Sequence, residues 1–191
     1  KVIPAMLKSR ELEVAAIASR SLKSARTAAM ELGIARSYGS YEEMLADPEI
    51  EAVYNPLPNH LHVPLTLQAA AAGKHVLCEK PIALTAPEAM QLRAAAGNVL
   101  IAEAFMVRFH PQWLRARDLV REGRIGTLRA VQMFFGYNNV DPNNVRNKAD
   151  IGGGGLYDIG CYAVVAGRFF LEAEPTRGIA LIDRCPTFAT D

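Results

Sequence analysis

The sequence predicts an α/β protein whose first half contains a parallel β-sheet. In this half, short apolar segments alternate with longer segments that have helical spacing and alanine-rich faces. This alternation is typical of strand–helix–strand units, in which a helix connects two parallel strands. The character changes after residue 104, where a long alternating segment, a polar loop and a long apolar helix follow. We therefore predict two domains, residues 1–104 and residues 105–191, the second being the start of an α+β domain.

The elements of the first domain follow from apolar runs and helix-ending residues. The predicted strands are residues 11–18, 51–54, 75–78 and 99–102. The predicted helices are residues 1–9, as the end of a helix, and residues 22–32, 41–46, 60–72 and 86–96. Ser21 can cap the helix 22–32, and Gly33 ends it because glycine readily adopts positive φ.

The second domain is predicted to have fewer and longer elements. They are a helix at 109–121, a strand at 128–137, an asparagine-rich loop at 138–150, a helix at 156–171 and a strand at 177–182. One pair of strands and a helix do not make a stable sheet. We therefore expect that the chain lacks residues at both ends and that the complete protein has more strands. The loop 138–147 is interpreted as a solvated linker, with closure over a substrate as the alternative.

Composition and charge exclude several classes of function. Half of the 191 residues are hydrophobic, and 21 basic residues balance 20 acidic ones, so no electrostatic argument for binding nucleic acid or an acidic membrane arises. No apolar run reaches membrane-spanning length. The three cysteines lack metal-ligand spacing, which indicates reduced thiols and no metal site. We expect a cytoplasmic protein, with a periplasmic location as the alternative.

The tetrapeptide Cys78-Glu79-Lys80-Pro81 places a lysine where an apolar strand ends. Ligands of open parallel sheets bind at the carboxyl ends of the strands. We therefore interpret Lys80 as a proton-handling group of a nucleotide-dependent enzyme. The alternative is a structural ion pair between Lys80 and Glu79.

Five motifs, in this order, carry a resemblance to a known family. They are ASR at 18–20, YNPLPNHLH at 54–62, GKHVLCEKP at 73–81, EAFMVRFHP at 103–111 and GGGGLYDIGCY at 152–162. Together they resemble the Gfo/Idh/MocA oxidoreductase family, most closely its branch of glucose-fructose oxidoreductase and dimeric dihydrodiol dehydrogenase. The resemblance implies a doubly wound Rossmann domain, here without its first strand and glycine loop, followed by an α+β substrate and dimerisation domain.

The resemblance also implies an activity. Members of this kind transfer hydride between a nicotinamide cofactor and a hydroxyl or carbonyl group of a sugar, polyol or cyclic diol. The implied partners are a small-molecule substrate and a second copy of the chain, bound through the C-terminal domain. The alternatives are a sugar oxidoreductase with permanently bound NADP and a non-catalytic nucleotide-binding regulator, since a fold does not fix a function.

Ser19 and Arg20 follow a predicted strand at the position where such folds recognise the adenosine ribose. An acidic residue there would repel a 2′-phosphate, whereas a hydroxyl and a guanidinium group suit one. This favours NADP, with NAD as the alternative cofactor. The competing interpretation of Arg20 is an ordinary surface arginine.

The resemblance places further residues around the cofactor. The candidates are Tyr38, Asn55, Pro56, Leu57, Asn59, His60, Glu79, Lys80 and Arg108. Asn59 could instead cap the helix that follows it. His60 and His62 would face different sides of a helix, so we do not expect them to bind a metal.

Asp158 and Tyr162 are four residues apart in a predicted helix and therefore share a face. By resemblance, Tyr162 is the acid or base at the substrate oxygen, Asp158 orients the substrate or Lys80, and Lys80 completes the catalytic group. We expect a nearby lysine to lower the pKa of the Tyr162 phenol. The alternative is a half-buried aromatic ring and an aspartate at a helix start. Secondary candidates at the domain junction are Glu103, Arg108, His110 and Trp113. Arg108 and His110 could contact sugar hydroxyls, with a charged cap at a helix start as the alternative.

Overall fold

A computed structural model describes residues 2–191. The strands in this range are β1 (Ala16–Ala18), β2 (Arg36–Tyr38), β3 (Ala52–Asn55), β4 (His75–Cys78) and β5 (Ile101–Glu103). The α-helices are α1 (Ile3–Met6), α2 (Leu22–Leu32), α3 (Tyr41–Ala46), α4 (His62–Ala71), α5 (Ala86–Ala95), α6 (Pro111–Arg121) and α7 (Cys161–Leu171). A π-helical turn, Leu156–Gly160, leads directly into α7.

All strand pairs in the described residues are parallel. β1 pairs with β2, and β3, β4 and β5 form a second sheet in that order. A helix lies between each strand and the next: α2 connects β1 to β2, α3 connects β2 to β3, α4 connects β3 to β4, and α5 connects β4 to β5. The predicted α/β class with a parallel Rossmann-type sheet is confirmed.

The core lies between the β3–β4–β5 sheet and the helices beside it. Its buried members are Leu45, Ile50, Val53, Leu65, Ala69, Val76 and Cys78. The alternation of side chains along a strand explains this burial in β4. Val76 and Cys78 point into the core, while His75 and Leu77 point outward. Burial raises the pKa of the Cys78 thiol to about 11, so this cysteine serves as an apolar core residue.

The sequence predictions were wrong for several elements. β2 was not predicted, since Arg-Ser-Tyr contains no apolar run. Residues 128–137 and 177–182 form no strand in the described range. A strand needs a hydrogen-bonded neighbour, and none of the described strands lies beside either segment. Of the strand predicted at 11–18, only β1 forms. Of the helix predicted at 1–9, only α1 forms, and Lys1 lies outside the described residues.

Other local predictions were confirmed. The Ser21 hydroxyl accepts a hydrogen bond from the Ser24 N–H, and Gly33 ends α2 with a φ of 69°. Cys78, Cys161 and Cys185 are free thiols. Within residues 2–191, every helix is too short or too polar to cross a lipid bilayer.

Candidate functional site

The site is organised around the carboxyl ends of three neighbouring strands. Asn55, Cys78 and Glu103 lie side by side in the registers of β3, β4 and β5. Because the strands are parallel, the loops that follow them leave from the same edge of the sheet. The loop after β4 carries Glu79 and Lys80.

Lys80 reaches from this edge to the second half of the chain. Its ammonium group donates hydrogen bonds to the main-chain carbonyl of Asp158 and, over 3.2 Å, to Asp158 Oδ1. The same Nζ lies 5.2 Å from the centroid of the Tyr162 ring. The side chains of Lys80 and Asp158 are only 14% and 15% exposed. The structure thus brings together the three residues predicted to be catalytic.

Asp158 is held from its other side by residues that the sequence analysis missed. Asp158 Oδ2 accepts a hydrogen bond of 2.5 Å from the Tyr137 hydroxyl and one of 2.8 Å from Arg146 Nε. Burial alone would raise the pKa of the Asp158 carboxyl. The hydrogen bond from Tyr137 and the positive charges of Lys80 and Arg146 outweigh burial, so the pKa lies below its ordinary value of 3.8.

Arg146 belongs to the asparagine-rich loop, which was interpreted as a solvated linker. In the structure this loop is tied internally, since Asn147 Nδ2 donates to the main-chain oxygens of Asn139 and Asp141. It is also tied to the site through Arg146 and Asp158. No feature of the sequence distinguished Arg146 from the other basic residues, so only the fold could identify it.

Tyr162 packs its ring edge-on against Phe105, with ring centroids 5.1 Å apart. Burial raises the pKa of the Tyr162 phenol, and neighbouring acidic groups raise it further. The expected lowering by Lys80 was therefore wrong. The lysine lies over the face of the ring, and burial of the phenol is the largest cause of the raised pKa. The phenol is therefore protonated at neutral pH and is a weaker acid than an exposed tyrosine.

Glu79 contacts neither the ammonium group of Lys80 nor Asp158 in the described hydrogen bonds. Its Oε1 accepts a hydrogen bond of 2.5 Å from the Tyr54 hydroxyl, and its Oε2 accepts one from the Lys80 main-chain N–H. Burial, together with this hydrogen bond, raises the pKa of Tyr54. The structural Lys80–Glu79 ion pair, considered as an alternative, is replaced by a pair between Lys80 and Asp158.

Asn55 has a structural role. It is 1% exposed, and its Nδ2 donates to the His62 carbonyl and to Thr66 Oγ1, while its Oδ1 accepts from the Leu57 N–H. The Asn55 side chain therefore fixes the loop after β3. Leu57 packs against the core, whereas Pro56 is exposed at the sheet edge.

Asn59 does not cap the following helix, because α4 begins three residues later, after a turn at Asn59–Leu61. Its Nδ2 instead donates over 2.8 Å to the Gly152 carbonyl, which links the two halves of the chain. His60 Nδ1 is buried and has no hydrogen-bond partner among the described residues. A buried polar atom without a partner costs stability, so this nitrogen is suited to meet a ligand group.

Ser19 and Arg20 lie where β1 ends, and Arg20 is exposed. The Ser19 N–H donates to the Tyr38 carbonyl. The Tyr38 hydroxyl is engaged elsewhere, since it donates over 2.5 Å to Asp47, and this hydrogen bond raises the Tyr38 pKa. Arg108 is exposed in the turn Met106–Phe109, and no described contact connects it to Lys80.

Residues that follow β1 and β3 fit a phosphorylated nicotinamide dinucleotide. Arg20 and Ser19 supply donors suited to phosphate, and His60 Nδ1 is a buried atom that lacks a partner. The sequence contains no GxGxxG turn, so we assign no residue to the pyrophosphate. Within residues 2–191, no three His, Cys, Asp or Glu side chains converge as metal ligands would.

Comparisons with known proteins place the chain among oxidoreductases. Residues 1–99 match a family model described as "Oxidoreductase family, NAD-binding Rossmann fold". Residues 113–190 match the "GFO/IDH/MocA C-terminal domain".

Several similar proteins have been described. An uncharacterized oxidoreductase, ORF334, of Rhizobium meliloti is 55% identical over 100% of this chain and 58% of its own length. D-xylose 1-dehydrogenase (NADP(+)) 2 of Haloferax volcanii is 46% identical over 89% of this chain and 53% of its own length. The chain thus spans about half the length of the curated relatives it matches.

Solved structures agree in fold. A 3-ketoreductase from Actinomadura kijaniata, in complex with NADP and TDP-benzene, matches with a TM-score of 0.83 and 37% identity over 88% of this chain and 52% of its own. Aldose-aldose oxidoreductase from Caulobacter crescentus matches with a TM-score of 0.85 and 31% identity over 91% and 54%. Since the first family model alone covers residues 1–99 of 191, the chain belongs to the Gfo/Idh/MocA oxidoreductase family.

Proposed function

We propose that this protein is an NADP-dependent oxidoreductase that interconverts a hydroxyl and a carbonyl group of a sugar, polyol or cyclic diol. The observation that carries the proposal is the convergence of Lys80, Asp158 and Tyr162 at one sheet edge, although 78 residues separate Lys80 from Asp158. Structural ion pairs also occur in proteins, but this one lies beside a tyrosine, with Lys80 Nζ 5.2 Å from the centroid of the Tyr162 ring.

Each of the three residues has a separate task. Bound NADP would supply or accept the hydride. In the direction of carbonyl reduction, the protonated phenol of Tyr162 donates its proton to the carbonyl oxygen. The Lys80 ammonium, beside the same ring, stabilises negative charge that develops on that oxygen. Asp158 holds the ammonium in place with two oxygen atoms.

Arg20 supports NADP over NAD as the cofactor. Its guanidinium is exposed at the end of β1, next to the half-buried Ser19. Together they offer the donors that a 2′-phosphate requires. The Haloferax relative is named for NADP, and the Actinomadura structure contains it, which agrees with this choice.

The substrate class is proposed from the relatives' names. They include a xylose dehydrogenase, a 3-reductase for a dTDP-linked keto sugar and a dihydrobenzenediol dehydrogenase. These substrates share a carbon that carries a ring hydroxyl or carbonyl group. We also propose a domain boundary near residue 104, and we keep assembly through the C-terminal domain and a cytoplasmic location as predictions.

The test is substitution of Tyr162 by Phe in the full-length protein. Reduction of keto sugars and oxidation of aldoses and cyclic diols are followed through NADPH absorbance. We expect kcat to fall by about 10²- to 10⁴-fold, because general acid catalysis contributes that much, while KM for NADPH stays nearly constant. Tyr41→Phe, on α3 and remote from Lys80, is the matched control. An unchanged kcat for Tyr162→Phe would remove the proton-donor role.

A further inference from the structure

We infer that Glu103 is a positioning residue for Lys80 and acts by clamping a single peptide group. The peptide between Pro81 and Ile82 lies one residue after Lys80 in the chain. Its N–H donates to Glu103 Oε1 over 2.8 Å, and its carbonyl oxygen lies 2.7 Å from His62 Nδ1. Both ends of one peptide plane are therefore held by side chains.

The two side chains come from different elements. Glu103 is the last residue of β5 and lies beside Cys78 in the register of β4 and β5. It stands where the loop with Lys80 leaves the sheet. His62, 1% exposed at the start of α4, also places its Nε2 2.6 Å from the Leu57 carbonyl. The clamp thus fixes the loop after β4 relative to both the sheet and the loop after β3.

This geometry gives Glu103 a different task from the one suggested by its place at the domain junction. Its Oε1 accepts a hydrogen bond from a main-chain N–H, so this oxygen holds the loop. Without an acceptor, the Ile82 N–H would lose its partner, and the peptide plane could rotate. The ammonium of Lys80 would then no longer be held against Asp158 and Tyr162.

The inference rests on the proposed function, since it takes Lys80 to be the group that acts on the substrate oxygen. A misplacement of about 1 Å in a reacting group can lower a rate by about 100-fold. We therefore expect Glu103→Ala to lower kcat by roughly 10- to 100-fold, with KM for NADPH little changed.

Two conservative variants separate positioning from charge. Glu103→Gln keeps the side-chain length and an acceptor oxygen but loses the charge. Glu103→Asp keeps the charge but draws the carboxylate back from the Ile82 N–H. If Glu103 positions Lys80, the kcat of Glu103→Gln should stay near that of the wild type. The kcat of Glu103→Asp should then be as low as that of Glu103→Ala. The opposite order would show that the charge itself acts at the site, and it would overturn the inference. This pair also decides the question if Glu103→Ala does not fold.

A second measurement does not depend on turnover. Acetylation of lysine amines, followed by mass spectrometry, reports how firmly Lys80 is held, with the exposed Lys148 as internal reference. We expect Lys80 to react several-fold faster in Glu103→Ala and Glu103→Asp than in the wild type, and at the wild-type rate in Glu103→Gln. Equal rates in all four proteins would overturn the inference. If the wild type turns over no hydroxyl or carbonyl substrate, the proposed function fails, and the acetylation rates still decide whether Glu103 positions Lys80.

Discussion

The two halves of the chain contribute to the site in different ways. Residues 2–104 contain all the strands that the structure describes and nearly all of the buried apolar residues. Residues 105–191 contribute α6, α7 and extended segments. The buried apolar residues described in this half are Phe105 and Ala166. Large side chains such as Phe134 and Leu181 remain exposed there, at 93% and 99%.

This difference shows how the site is assembled. Lys80 is positioned by a packed sheet. Asp158 and Tyr162 are held by Lys80 from the first half and by Tyr137, Arg146 and Phe105 from the second half. Three hydrogen-bonded links connect the halves: Lys80 to Asp158, Asn59 to Gly152, and Tyr157 to Leu84. The comparison leads to predictions in which the two halves should respond differently to substitution.

The largest effect is expected from Lys80→Met. The substitution removes the cation that joins the halves and the positive charge beside the Tyr162 ring. We expect kcat to fall by about 10⁴-fold, at the upper end of what one acid–base group contributes. The measurement is the turnover of NADPH with the best sugar or diol substrate. Lys8→Met, at an exposed position, is the control, and retention of more than a small part of kcat in Lys80→Met would show that the halves do not share a catalytic group.

Arg20→Ala tests a residue that belongs to the first half alone. Loss of charge-assisted hydrogen bonds, worth about 1.5–3 kcal/mol, should raise KM for NADPH by roughly 10- to 100-fold. KM for NADH should not change, because NADH has no 2′-phosphate. Arg26→Ala, exposed on α2, provides the control. Equal changes in KM for NADPH and NADH would show that Arg20 does not recognise the 2′-phosphate and is an ordinary surface arginine.

The sequence was sufficient for most of the first half, because local signals and burial agree there. β3 and β4 coincide closely with predicted strands, and Ser21 and Gly33 bound α2 as predicted. The alternation at residues 128–137 was equally regular, but pairing decides whether such a segment becomes a strand. A period of two in the sequence carries no information about a neighbour.

The candidate site was predictable only in part. Lys80, Asp158 and Tyr162 were identified from motifs, and the resemblance to a family supplied their connection. The contacts of Tyr137 and Arg146 with Asp158 depend on the path of a long loop, which short-range patterns do not encode. The direction of the Tyr162 pKa also required coordinates, since it depends mainly on how deeply the phenol is buried.

Asp158 makes the link between the halves dependent on pH. Its pKa is lowered in the folded protein, so the unfolded chain binds a proton at a higher pH than the folded one. The carboxylate therefore stabilises the fold above about pH 4, and this contribution is lost as pH falls through the lower folded pKa. Urea unfolding between about pH 5 and pH 2 should show a shallower loss of stability for Asp158→Asn than for the wild type. Asp150→Asn, exposed, is the control, and identical pH profiles for the wild type and Asp158→Asn would contradict the lowered pKa.

The smallest effect is expected from Tyr157→Phe, which removes a link between the halves outside the catalytic group. The Tyr157 hydroxyl donates over 2.8 Å to the Leu84 carbonyl, just after the loop that carries Lys80. A neutral hydrogen bond of this kind contributes about 1 kcal/mol, so urea unfolding should give a free energy lower by about that amount. Because the clamp on Lys80 is intact in this variant, kcat should stay close to that of the wild type. A large loss of kcat with unchanged stability would mean that the Tyr157–Leu84 hydrogen bond positions Lys80 and that the clamp on the Pro81–Ile82 peptide is not sufficient to do so.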